Sequence, residues 1–231
     1  FEMGLSTAQV FDNQAGWLNE DDALGGPRVL MNHEFYVGIN DTLGADPTGD
    51  AFNPSAMSLF KAWENLRGGD ERRGSRKAIA RGELLFNTKQ FQITGVGGLN
   101  DALNAPVIVG TCTTCHNSPN VGDHSVALPI NIGVSDASRR TPDMPLYTLQ
   151  NNTTGETVQT TDPGRALITG KWRDIGKFKG PILHGLAARA PYFHNGSAAT
   201  LDDVLNFYDT RFNIGFTKQE KSDLVAFLRS L

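Results

Sequence analysis

A chain of 231 residues, 39% hydrophobic and 20% charged, carries enough apolar side chains for one good core or two small ones. Its formal net charge of -4 argues against a nucleic-acid partner, and no polybasic cluster offers itself to an anionic membrane surface. No apolar run approaches the roughly eighteen residues of a membrane-crossing helix, so no transmembrane segment is expected.

The chain starts at Phe1 with neither an initiator Met nor a signal-peptide pattern, which reads as a processed mature protein or a fragment of a longer one. Clusters at Gly25-Gly26-Pro27, Asp46 to Asn53 and Gly68-Gly69 break the first seventy residues into short pieces. One piece looks strongly helical. Asn53 and Pro54 supply an N-cap and a first-turn proline, and Leu59, Phe60, Trp63 and Leu66 recur at helical spacing. The charged run Asp70 to Arg73 reads as a solvated linker or an exposed helix start. Residues 1–74 are thus expected to be an irregular, partly helical segment with a packing or docking role.

From Ser75, Ile79, Gly82 and Phe86 share one face of a helix expected to end near Asn87. A glycine inside a helix costs about 1 kcal/mol relative to alanine, so Gly82 predicts that another helix crosses closely there. Cys112-Thr113-Thr114-Cys115-His116 then uses both cysteines of the chain. In C-x-x-C-H the two thiols add across the porphyrin vinyl groups and the adjacent imidazole reaches the iron, which predicts one covalent haem c with His116 as proximal ligand. Three readings compete. A zinc site would need two further ligands at similar spacing, a dithiol redox pair would sit at a helix start in a βαβ unit, and the flanks here are Gly-, Asn- and Pro-rich. A structural disulfide is the third.

Between Pro119 and Gly180 the sequence is polar and rich in Gly, Thr and Asp, so loops are expected. Asn151 to Gly155 has hairpin composition, followed by a candidate strand from Glu156 to Thr160. A helix opens at Thr200 with Asp203 in capping-box position and Leu201, Val204, Leu205 and Tyr208 on one face. Thr217 with Glu220 caps a last helix whose stripe is Leu224, Phe227, Leu228 and Leu231. A first helix with a glycine contact point against the last helix is the framework of a cytochrome c domain. The expected fold is mainly α: a cytochrome c-like haem domain over 75–231 with long loops and little strand.

The run from Cys112 to Gly122 resembles the haem loop of the electron-transfer domain in bacterial di-haem cytochrome c peroxidases and the related MauG proteins. Thr161-Asp162-Pro163-Gly164-Arg165, Phe178 to Leu183, Ala190 to Gly196, Thr200-Leu201 and the closing Phe216 to Leu231 follow in that family's order and similar spacing. The resemblance spans roughly residues 75 to 231. It departs in two respects: such a peroxidase carries a second C-x-x-C-H upstream and this chain has none, and the ligand on the far side of the iron differs.

The resemblance implies more about the site. The family's distal methionine position falls on Tyr208, and MauG-like members have tyrosine there. Met144, in the Thr141 to Pro145 loop, is the rival sixth ligand; an open or water-bound position and a histidine also stay open. A thioether raises a haem's potential, whereas a phenolate stabilises ferric iron. Met3, Met31 and Met57 precede the haem domain. His33, His124 and His184 read as structural or surface groups. His194 lies in a turn that the family places beside the haem, where it is a candidate cofactor-binding residue. Arg165 is a candidate propionate partner, its fork of donors matching a carboxylate.

Two functions follow as expectations. The first is a periplasmic, exported relay that passes one electron between protein partners. The second is a peroxidase-like or MauG-like oxidoreductase using hydrogen peroxide, with a second haem on upstream sequence or on a partner; it requires an open sixth position and an acid-base group over it.

Overall fold

Asp70 accepts a hydrogen bond from the Arg73 amide and so caps a helix, α1, that runs Glu71–Thr88 in the computed structural model. The charged run is therefore the first turn of that helix and not a linker. The structure describes residues 7–120, 122 and 128–231. His124 and Met3 lie outside the described residues.

Two further long helices follow, α2 at Leu201–Phe212 and α3 at Lys218–Arg229. Thr200 with Asp203, and Thr217 with Glu220, form complete capping boxes at their N-termini. α3 lies against α1 at the expected glycine: a Cβ at Gly82 would meet the Asp223 carbonyl oxygen at 2.0 Å and the Phe227 Cβ at 2.7 Å. Ile79, Phe86, Leu224, Phe227 and Leu228 bury the seam, joined by Phe60 and Trp63 from the preceding segment. The Phe227 ring sits 5.4 Å from Phe86 and 6.2 Å from Phe60.

The helix expected from Pro54 is reduced to a single five-residue 3-10 stretch, Lys61–Asn65. The cause is tertiary. Both carboxylate oxygens of buried Glu83 on α1 accept from the Phe60 amide, and one also accepts from that of Leu59. Asn87 donates to the Met57 carbonyl. These side chains supply the partners that an i→i-4 ladder would have used, so the apolar spacing at 59, 60, 63 and 66 buries its residues without winding an α-helix.

The chain divides into two compact units. One comprises Phe1–Gln92, Val109–Val126 and Pro181–Leu231, and contains α1, α2, α3 and the cysteine motif. The other comprises Ile93–Ile108 and Ala127–Gly180. Within this second unit the expected hairpin forms, with Tyr147–Gln150 paired antiparallel to Thr157–Thr160. Elsewhere it is loops and one-turn helices, held by contacts such as Ile130 with Phe178 and by Thr160 and Thr161 hydroxyls donating to the Ser135 carbonyl. The fold is mainly α with few short strands. No helix among the described residues is long and apolar enough to cross a membrane.

Candidate haem site

Cys112–Thr114 forms one turn of 3-10 helix, closed by a reciprocal pair in which Thr111 and Thr114 cap each other. The amides of Cys115 and His116 both donate to the Cys112 carbonyl, which curls the motif so that its two cysteines and its histidine follow within a single bend. Both cysteines are half-buried and unpaired with each other. Burial pushes both thiols up to about 12, and Cys115 adds to the effect at Cys112. Among the described residues no cluster of three or more His, Cys, Asp or Glu could hold a metal ion.

His116 is oriented from behind. Its Nδ1 lies 2.9 Å from the Gly122 carbonyl oxygen. A carbonyl only accepts, so Nδ1 carries the proton and Nε2 carries the lone pair a haem iron requires. Gly122 is needed for this. Its φ is +68°, and a Cβ there would meet the Leu183 side chain at 2.6 Å. His184, next to Leu183, bonds through its ring nitrogen to the Asn120 carbonyl of the same loop. The residue types fit haem c: two thiols at the right spacing and an imidazole in the ligating tautomer.

Tyr208 on α2 belongs to the same unit and sits in an aromatic group. Its ring centroid is 5.3 Å from Phe207, 6.4 Å from Phe193 and 6.3 Å from Phe212. Burial pushes its phenol far above the ordinary tyrosine range. His194 shares a turn with Phe193, whose ring packs 5.0 Å from Phe207, but His194 itself is exposed.

Met144 is buried in the second unit, where its carbonyl accepts from Arg140. Arg165, in the same unit, is exposed and lies 3.7 Å from Asp174. His33 is half-buried, Met57 is in the core of the first unit, and Met31 is exposed.

Residues 40–54 contribute contacts that the sequence reading did not assign. Thr42 donates to the Thr114 carbonyl at 2.7 Å, Asn40 to the Asn117 carbonyl at 2.9 Å, and Thr113 to the Pro54 carbonyl at 2.5 Å. No local motif marks these partners, because each joins residues 59 to 77 positions apart. Gly122 stood within the family-like run without an assigned role.

Residues 177–214 match a family model described as RoxA-like, cytochrome c-like. The chain is 33% identical over 132 residues to cytochrome-c peroxidase IdrP2 of Denitromonas iodatirespirans, covering 53% of this chain and 36% of that protein. It is 32% identical over 123 residues to the cytochrome c551 peroxidase of Nitrosomonas europaea, covering 52% of this chain and 30% of that protein. The chain therefore spans about a third of the length of these relatives. A solved structure of a MauG-like protein associated with microbial copper homeostasis overlaps 67% of this chain and 46% of its own, with 24% identity and a TM-score of 0.38.

Proposed function

We propose that this chain, which is similar in sequence to cytochrome-c peroxidases and whose residues 177–214 match a cytochrome c-like family model, is an electron-relay haem domain, exported to the periplasm, carrying one haem c between a donor and an acceptor protein. In this reading Cys112 and Cys115 attach the cofactor, His116 is the proximal ligand and Tyr208 the distal one. Haem c, when bound, supplies a one-electron couple at its iron.

The observation that carries the reading is the setting of Tyr208. Tyr208 stands on α2 at the position where the resembling family carries its distal ligand, in the same unit as Cys112, Cys115 and His116 and among Phe193, Phe207 and Phe212. His116 is held in the ligating tautomer by the Gly122 carbonyl. Buried Glu83 accepts from the Leu59 and Phe60 amides.

The relatives' names favour a second reading. Both are peroxidases, which makes hydrogen peroxide a candidate substrate, with a second haem on further sequence or on a partner. One pair of measurements separates the two. The ferric spectrum should show a phenolate signature that Tyr208→Phe abolishes, and hydrogen peroxide should neither shift the Soret band nor oxidise a reduced donor dye. Dye turnover would replace relay by catalysis. A methionine charge-transfer band near the red edge would instead assign Met144 as the sixth ligand.

A further inference from the structure

We infer that residues 40–54 form a clamp that holds the haem-attachment loop in its ligating conformation, with the Thr42 hydroxyl as the central positioning group. The inference rests on reading Cys112, Cys115 and His116 as a haem c site. Its basis is a register. Thr113 and Thr114 occupy the two positions between the cysteines, and Asn117 follows the histidine. Each of these three interleaved residues is gripped by the clamp: Thr113 by the Pro54 carbonyl, Thr114 by Thr42 and Asn117 by Asn40.

The grip is directional and buried. Thr113 and Asn117 are fully buried and Thr114 nearly so, so water is not at hand to replace a lost partner. A hydroxyl both donates and accepts, and Thr42 uses both capacities, donating to the Thr114 carbonyl and accepting from the Asn117 side-chain amide at 3.4 Å. It thereby connects the cysteine spacer to the residue after the axial ligand. Valine, the same shape without the oxygen, would break both contacts.

The clamp is itself braced. The Asn40 side chain accepts from the Asn53 amide at 2.6 Å and donates to the Asn53 carbonyl at 3.0 Å, so one side-chain amide ties the two ends of the segment together. Asn40 stands at φ +49°, a left-handed conformation that asparagine tolerates better than most residues. Asp46 accepts from the Asn40 amide and Asp41 from the Ala45 amide, closing the turn between. A braced segment gripping three positions of the loop fixes where both sulfurs and the imidazole point before any bond to a cofactor forms.

The test compares Thr42→Val with Thr42→Ser in the haem-loaded protein, reading amide exchange over residues 112–117 by mass spectrometry, the midpoint potential and the Tm. Thr42→Val should speed loop exchange about tenfold, as loss of one net hydrogen bond implies, and shift the midpoint potential, with exchange in α1 and α3 unchanged. Thr42→Ser, which keeps the hydroxyl, should restore both readouts. Native-like exchange in the valine variant, or a serine variant as fast as valine, would overturn the clamp. If Thr42→Val does not fold, Asn40→Asp is measured the same way, since it keeps the left-handed residue class and removes the donor to Asn117. Native protein that carries no haem would fail the functional reading instead, while loop exchange in the haem-free chain still measures the clamp.

Discussion

The seam between α1 and α3 and the haem-attachment loop are built in opposite ways. At the seam, Ile79, Phe86, Leu224 and Phe227 close over Gly82, and the contact is apolar and non-directional. In the loop the most deeply buried residues are Thr113, Asn117 and Ser118, and partners from distant segments hold Thr113 and Asn117 by hydrogen bonds. The difference is instructive. Apolar packing lets two helices meet with some latitude, whereas two sulfurs and a ring nitrogen that must address one porphyrin need fixed directions, which hydrogen bonds provide.

The most severe way to break this contrast is Gly82→Ala. Alanine is the better helix former by about 1 kcal/mol, yet its Cβ would lie 2.0 Å from the Asp223 carbonyl oxygen. Urea unfolding should therefore show a net loss of about 3 kcal/mol. A gain in stability would mean that the helices do not touch there.

Glu83 sharpens the contrast, because it places one of the loop's devices beside the seam. Burial pushes its carboxyl up to about 7, against the opposing pull of the Phe60 and Leu59 amides. Since the folded value lies above the ordinary 4.5, this group's contribution to stability is full below pH 4.5 and is lost as pH rises to about 7. Over that window the native protein should lose on the order of 3 kcal/mol relative to Glu83→Gln. Parallel stability curves for the two proteins would remove Glu83 from the account.

The smallest expected effect concerns Lys89, which reaches from the C-terminal end of α1 to Glu220 of α3 at 2.8 Å with both side chains partly exposed. Lys89→Ala should cost about 0.5 kcal/mol, less at high salt. A loss rivalling that of Gly82→Ala would show that the seam is held by charge.

How much was legible follows the same division. The capping boxes at Thr200 and Thr217 and the glycine contact at Gly82 were readable because each is a local pattern with a local cause. The Pro54 to Leu66 pattern misled for the opposite reason. Its spacing is helical, but side chains of Glu83 and Asn87 take the backbone groups of residues 57, 59 and 60. The start of α1 was placed four residues late, since an Asp-Glu-Arg-Arg run suits a capped first turn as well as a linker. Gly122 was visible only as part of a familiar run. Nothing local says that Leu183 will press on it or that His116 will bond to its carbonyl.

The sequence by itself determined the C-x-x-C-H motif that indicates haem c and the three principal helices, because thioether chemistry and helical periodicity act over a few neighbouring residues. Tertiary structure alone decided which tautomer His116 adopts and which distant residues grip Thr113, Thr114 and Asn117. Those are directional bonds between groups 59 to 77 positions apart, and their partners exist only once the chain's path has brought them together.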